Sequence, residues 1–311
     1  MMQAFESTRR TLALAGISIA VGACGGQSNP GAAETPAGGG GSGDATEASG
    51  SSEALPAGAI AVQPQAPKPK TRALESRSIT MDFELTLLRG EAPAGIQSGS
   101  WSLEEERTLE VAEAKDKAIT KLNLTYGRRE AKPLLGIERT AATAGKSYVV
   151  QPGGAITLAD GKKPSKPEHS AVLAEYGWVG EPAPLLSLLA SAPLKKETEL
   201  DPNVDAKRAI IGEISGIDPA ATRLSLRFDA MRNEGRKTAS LTAQGTATLD
   251  NGDMKFELDL DGPVQIDVET GFVTSADLNG KVRASGKVKH KKGPLEARGK
   301  GNVHLVRKAT F

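Results

Sequence analysis

The sequence has few of the residues that enzymes and metal proteins use for chemistry. Among its 311 residues there is one cysteine, Cys24, and there are three widely separated histidines, His169, His290 and His304. Histidines so far apart do not match the spacing of a metal site, and a single cysteine excludes an intrachain disulfide. GxSxG and SxxK motifs and a phosphate-binding glycine loop between a strand and a helix are also missing. The sequence therefore predicts no catalytic residue, no metal site and no cofactor.

The content of aromatic residues and the net charge are also low. Only 4% of the residues are aromatic, so leucine, isoleucine, valine and alanine must fill most of the core. The formal net charge is +1, and no overall electrostatic field favours binding to nucleic acid. The most basic stretch has no interleaved aromatic side chains to stack on bases, which further disfavours a nucleic-acid partner.

The N-terminal segment has the layout of a bacterial export signal. A pair of arginines precedes Thr11–Ala23, an uncharged run of 13 residues that is shorter than the roughly 20 residues of a membrane-spanning helix. The run leads into four residues that resemble the lipobox of bacterial lipoproteins, namely Val21, Gly22, Ala23 and Cys24. This resemblance implies a signal peptide over residues 1–23 and a membrane anchor through lipid on the Cys24 thiol.

Other interpretations of this segment stay open. It is also compatible with an ordinary cleaved signal peptide that carries a chance cysteine, or with a buried helix. Thr8–Leu12 resembles a twin-arginine export signal, so the sequence does not decide between the general and the twin-arginine export route. Gly25 follows the cysteine in place of the aspartate that retains many lipoproteins in the inner membrane, and the resemblance therefore favours the outer membrane.

Residues 24–72 have the composition of a lipid-anchored, disordered linker. The segment is rich in glycine, serine, alanine and proline and has no aromatic residue, so it buries too little apolar area to offset its conformational entropy. A flexible chain of this length has a root-mean-square reach of roughly 35–40 Å. We expect it to hold the domain at 73–311 away from a membrane.

The remaining sequence alternates apolar and polar residues in many short runs. Ile79, Met81, Phe83, Leu85 and Leu87 share one phase, which is typical of a half-buried strand. Similar runs are centred on 108–114, 116–126, 148–158, 223–231, 238–249, 254–260, 264–268, 282–288 and 295–305. Glycine-containing turns separate them, among them predicted turns at Asp261-Gly262 and Thr270-Gly271.

Helical patterns interrupt the strands near 165–216. Ser165-Lys166-Pro167-Glu168 has the spacing of a capping box, an apolar helix is predicted at Pro182–Ala192, and a third at 202–216. The predicted fold class is α+β and predominantly antiparallel β: a twisted meander of one or more sheets with this helical insertion packed on the sheet. The domain is predicted to be one unit or two β-rich halves, 73–164 and 217–311, around the helices.

The segments Gly262–Gly271 and Leu278–Gly280 resemble bacterial envelope lipoproteins in which a helical segment separates two β-rich halves. This resemblance rests on common strand and turn residues. It implies no activity.

The C-terminal strands carry uneven charge. Residues 281–311 contain ten lysines and arginines and a single acid, Glu296, whereas residues 250–269 contain seven acids and one lysine. Strand alternation places six of these cations on one face: Lys281, Arg283, Lys287, Lys289, Arg298 and Lys300. They form either a patch for anionic lipid or polysaccharide, or cross-strand pairs with the acidic strands that also protect against aggregation. Of the two, the cross-strand pairs are favoured.

The sequence is compatible with three functions. The favoured one is a cell-envelope lipoprotein, outside the cytoplasm, whose tethered domain has a structural or interaction role without catalysis. The second is a carrier or sensor of lipid-like ligands held between the sheet and the helix at 182–192, because small residues such as Ala284, Gly286 and Ala297 make the sheet shallow there. The third is an enzyme of unrecognised type.

The anchor gives the first testable prediction. Replacing Cys24 by alanine removes the thiol that lipid attachment requires, so the protein should move from the membrane fraction to the soluble fraction on cell fractionation and immunoblotting. A Cys24→Ala protein that stays with the membranes would contradict the lipid anchor.

Overall fold

A computed structural model describes residues 58–65, 67–132, 142–212, 214, 217–250, 252–291 and 293–311. Its strands, in chain order, are β1 Arg72–Arg89, β2 Ala92–Lys115, β3 Ala118–Ala131, β4 Ser147–Gln151, β5 Ala155–Leu158, β6 Glu199–Leu200, β7 Arg223–Glu234, β8 Arg236–Asp250, β9 Met254–Asp267, β10 Val273–Val288 and β11 Leu295–Thr310. The helices are α1 Lys166–Tyr176, α2 Pro184–Leu189 and α3 Val204–Ile211.

All eleven strands belong to one antiparallel sheet. Its order is β5-β4-β3-β2-β1-β11-β10-β9-β8-β7-β6, so adjacent strands are consecutive in sequence except where β1 pairs with β11 along most of its length. The consecutive strands β5 and β6 lie at opposite edges of the sheet. This pairing joins the N-terminal and C-terminal strands into a single sheet. The predicted α+β class, with a predominantly antiparallel sheet and a helical insertion, is confirmed.

Some strands are longer than the sequence pattern predicts. β2 begins at Ala92 because its serine-rich first half pairs with β1, although it has no apolar alternation. β9 runs through the predicted turn at Asp261-Gly262 without a break. A Cβ at Gly262 would lie 2.0 Å from the carbonyl oxygen of Asp277, so this glycine allows β10 to approach closely and does not form a hairpin.

The side chain of Phe83 compensates for two glycines in neighbouring strands. Phe83 lies between Gly99 of β2 and Gly301 of β11 in the register of the sheet. A Cβ at Gly99 would lie 2.5 Å from the ring of Phe83, and one at Gly301 would lie 1.9 Å from the carbonyl oxygen of Asp82. The ring also packs against Phe256, with 5.3 Å between the ring centroids. One large side chain therefore fills the space where two neighbours lack theirs.

The helices cover the face of the sheet that carries the buried apolar side chains, here called the inner face. Glu168 accepts a hydrogen bond from the backbone N–H of Ser165 at 2.6 Å, which completes the predicted capping box of α1. Leu185 of α2 and Ile210 of α3 belong to a large apolar cluster with β1, β2 and β7–β11. Val172 of α1 belongs to a second cluster, mainly with β2–β5. The inner face thus has two apolar regions.

The chain preceding β1 also contacts the sheet and the helical segment. Ile60 exchanges two backbone hydrogen bonds with Leu194, at 2.7 and 2.8 Å, and Val62 packs against the large apolar cluster. Lys70 donates its backbone N–H to the carbonyl of Val111 at 2.7 Å. Residues 58–71 belong to the predicted linker, and these contacts combine backbone hydrogen bonds of Ile60 and Lys70 with the apolar side chain of Val62.

Close strand approach at Gly301 makes this residue hard to replace. Gly301→Ala should lower the free energy of unfolding by about 1–3 kcal/mol, because the added methyl group forces backbone shifts in a packed region. Gly127→Ala is the matched control, since its Cβ would meet the nearest atom at 3.3 Å, and a change of about 1 kcal/mol or less is expected there. Urea denaturation measures both variants, and equal losses would contradict the role of close approach.

Candidate functional site

The structure locates the six predicted cations but not the predicted anchor. Val21, Gly22, Ala23 and Cys24 lie outside the described residues. The six cations are all exposed, on β10, on β11 and in the turn between them: Lys281, Arg283, Lys287, Lys289, Arg298 and Lys300. We call them the basic patch.

Only part of the basic patch is neutralised by the acidic strand β9. Arg283 lies 3.1 Å from Asp259 and 3.6 Å from Glu257, as the predicted cross-strand pairing requires. Lys281 donates a hydrogen bond to Asn302 at 2.9 Å. The other four members make no ion pair within 4.0 Å in the part of the chain that the structure describes. The patch therefore combines a paired centre with cations that face solvent.

A second site, which was not predicted from the sequence, is a set of charged side chains on the inner face. It separates the two apolar clusters: on β1 it lies between Ala73 and Ile79, and on β2 between Leu109 and Leu103. We call this set the ionic layer, and its members are Glu75, Arg77, Glu105, Arg107, Arg129, Glu175 and Arg307. Apart from Arg129, their side chains are at most 8% exposed.

The register of the sheet places opposite charges side by side. Glu75 and Arg77 of β1 lie opposite Arg107 and Glu105 of β2, respectively. A β-bulge between β2 and β3 then pairs Arg129 with Glu105, and this irregularity carries Arg129 to the inner face. The strand is longer than the predicted run at 116–126, since β3 continues through the bulge to Ala131.

Glu75 binds arginines of both neighbouring strands. Both of its oxygens accept hydrogen bonds from Arg107, at 3.0 and 3.1 Å, and Arg307 of β11 donates to one of them as well. Arg77 binds Glu105 at 3.1 Å. These contacts connect β1 to both of its neighbours through side chains as well as through the backbone.

The ionic layer also fixes two helices on the sheet. Glu175 of α1 accepts hydrogen bonds from Arg77 and Tyr126, each at 3.3 Å, and from Arg107. Arg307 donates to the carbonyl oxygens of Ala209 and Ile210 at the end of α3. Terminal carbonyls of a helix lack partners within the helix and carry partial negative charge, so a guanidinium group is a favourable partner.

Burial and mutual contact move the pKa values of these groups away from neutrality. Burial raises the pKa of Glu75, but the guanidinium groups of Arg107 and Arg307 outweigh that effect and lower it to about 2. Burial lowers the pKa of Arg107, yet the carboxylates of Glu175 and Glu75 raise it well above its usual value. Burial also raises the pKa of Tyr126 and of Tyr176. A general acid or base works best with a pKa near the operating pH, and these four groups do not provide one.

The sequence did contain a signal for the ionic layer. Glu75 and Arg77 occupy the same phase as Ile79 and Met81, the apolar phase of β1, and Glu105 and Arg107 repeat the Glu-x-Arg spacing in β2. Charged residues in an apolar phase must be paired when buried. Two antiparallel Glu-x-Arg segments provide such pairs, whereas the contribution of Arg307 depends on the distant pairing of β1 with β11.

Comparisons with known proteins add no family assignment, because no family model matches the chain and no match was found among curated proteins. Within the described ranges, no group of three or more histidine, cysteine or acidic side chains could hold a metal ion. The helices of those same ranges are all too short or too polar to cross a bilayer.

Removing one carboxylate from the ionic layer should strongly destabilise the fold. Glu75→Gln leaves the buried guanidinium groups of Arg107 and Arg307 without their shared counterion, which should cost about 3–5 kcal/mol of unfolding free energy at pH 7. Glu257→Gln, in an exposed pair with Lys255, should cost less than about 1 kcal/mol. Urea denaturation of both variants tests this, and similar losses would contradict the role of burial.

The lowered pKa of Glu75 also predicts acid sensitivity. Because this pKa is about 2 in the fold and 4.5 for the free side chain, the stabilisation from the charged form is complete above pH 4.5 and is lost as the pH falls towards 2. The wild type should therefore lose more stability between pH 5 and pH 3 than Glu75→Gln does. Parallel slopes of unfolding free energy against pH in the two proteins would contradict this.

Proposed function

We propose that this protein is a lipid-anchored, non-catalytic domain of the bacterial cell envelope that contacts an anionic membrane surface through its basic patch. The observation that carries the proposal is the set of cations on β10, β11 and their turn that lie exposed and make no ion pair with any described acidic residue. Lys287, Arg298 and Lys300 are exposed side chains of one face of the sheet. Lys289 lies just beyond the end of β10.

The face that carries the patch is the one that the helices leave uncovered. Arg283 and Lys300 are neighbours in the register of β10 and β11, and Arg283 is neutralised by β9. Towards the turn, Lys287 lies opposite Glu296, the one acid of residues 281–311. The excess of positive charge therefore increases from the centre of the sheet to the tip of the β10–β11 hairpin. A polybasic surface of this kind is attracted to anionic lipid headgroups, by about 1 kcal/mol per cation close to the membrane.

The absence of catalysis in this proposal rests on the ionic layer. Its charges are paired inside the fold, and the shifted pKa values of Glu75 and Arg107 keep both groups charged near neutral pH. Buried pairs of this type hold elements in register and orientation. The layer thus supports a structural role for the charges that would otherwise be the best candidates for acid–base chemistry.

We prefer membrane contact to the carriage of lipid-like ligands. In this structure the inner face is occupied by the protein's own side chains, with Leu185, Leu189 and Leu194 of the helical segment packed in the same cluster as Ala284 and Ala297. A carrier would have to displace this cover. For localisation we propose the outer membrane, with the anchor on Cys24 and the domain outside the cytoplasm.

A vesicle assay distinguishes membrane binding through the basic patch from membrane binding through the lipid anchor. The full chain with Cys24→Ala should sediment with vesicles that contain 30% phosphatidylglycerol and not with pure phosphatidylcholine vesicles, and binding should weaken at high salt. Reversing charge in Lys287→Glu/Arg298→Glu should reduce the partition coefficient at least about tenfold, given about 1 kcal/mol for each cation lost.

Lys308→Glu is the matched control for this assay. Lys308 is an exposed cation of the same strand, β11, at the end remote from the hairpin tip, and its reversal should change sedimentation much less. Equal sedimentation with neutral and anionic vesicles would overturn the proposal, as would an equal effect of Lys308→Glu and the double variant.

A further inference from the structure

A small cavity lies next to the ionic layer, beneath the helical segment. Its volume is about 30 Å³, whereas one water-sized group needs roughly 10–15 Å³. Arg107 and Arg307 of the ionic layer line it, together with Arg208 of α3 and Tyr176 of α1. The cavity has room for about two water-sized atoms, such as the two oxygens of a carboxylate group.

The hydroxyl group of Tyr176 has no hydrogen-bond partner among the described residues. Tyr176 is only 5% exposed, so bulk water does not compensate for the missing bond. Two nearby tyrosines differ in this respect, because Tyr126 donates to Glu175 and Tyr148 donates to Glu168. Buried polar groups in folded proteins are nearly always bonded, and an apparent exception often marks the place of a water molecule or an ion.

The polar lining of the cavity offers donors rather than acceptors. Guanidinium groups have no acceptor atom. The one carboxylate in the lining, Glu175, already accepts hydrogen bonds from Arg77, Arg107 and Tyr126. A group with acceptor oxygens therefore fits this space better than a donor does.

The net charge of the ionic layer also favours an anion in this cavity. Its four guanidinium groups meet three carboxylates, so one positive charge has no carboxylate counterpart within the layer. Arg129 is 19% exposed, and solvent screens part of this excess. An anion bound beside the buried members of the layer would balance the positive charge that solvent does not screen.

We propose that this cavity binds a monovalent anion of carboxylate size, held by the hydroxyl group of Tyr176 and the guanidinium groups of Arg208 and Arg307. The rest of the lining is largely apolar and includes Leu109 and Phe272. The anion therefore comes either from a small free carboxylate or from the head of an acyl chain. The site lies on the inner face and does not depend on the basic patch.

Thermal unfolding of the full chain tests the proposal. A ligand that binds only the folded state raises the unfolding midpoint with its concentration. The midpoint should rise by a few degrees in acetate and then level off, relative to chloride at equal ionic strength, because a chloride ion does not present two acceptor oxygens. Hexanoate distinguishes the two sources: the same rise at a tenfold lower concentration indicates an acyl chain, and a rise at the concentrations that acetate needs indicates a free anion.

Two variants connect the effect to the cavity. Tyr176→Phe keeps the ring but removes the hydroxyl group, and it should reduce the acetate-dependent rise at least by half. Tyr148→Phe is the control, because its hydroxyl group is already bonded to Glu168, and it should keep the full rise. Arg208→Gln, at the less buried side of the cavity, repeats the test if Tyr176→Phe fails to fold. Equal midpoints in acetate and chloride, or an unchanged rise in both Tyr176→Phe and Arg208→Gln, would overturn the anion site.

Discussion

Burial of the Glu75 carboxylate between Arg107 and Arg307 is the interaction on which the arrangement of the sheet depends. Glu75 lies on β1, and its two partners lie on β2 and β11. One carboxylate therefore connects the three strands at which the N-terminal and C-terminal parts of the sheet meet. Through Arg307 the same contacts extend to the end of α3, and through Arg107 they reach Glu175 on α1.

Such a layer contributes more to specificity than to net stability. Removing charges from water is costly, and a buried ionic pair often stabilises a fold no more than apolar side chains of similar size would. Here the ionic layer specifies the register between β1 and β2, because a slip of one residue would turn Glu75 and Arg77 away from their partners. The two apolar clusters on either side lack this discrimination, since aliphatic side chains accept many neighbours.

The fold was predictable from the sequence wherever side-chain alternation was clear, as in β1 and β7–β11. The long β2 was not, because its first half takes its strand conformation from pairing with β1 rather than from its own pattern. Gly262 was misread as a turn because a strand glycine that permits close approach looks the same in sequence as a turn glycine. The ionic layer had a signal in Glu75 and Arg77, but their partners on β11 and α1 lie more than ninety positions away.

The pairing of β1 with β11 has a consequence for how the chain reaches its folded state. Leu74 pairs with Thr310, so β1 gains its second neighbour only after β11, the last of the eleven strands, has been synthesised. Contacts this distant form slowly because a long loop must close first. Until then both β1 and β10 present an open edge that can pair with another chain. During synthesis, the interval between the appearance of β1 and that of β11 is therefore the period in which the nascent protein most needs protection from aggregation.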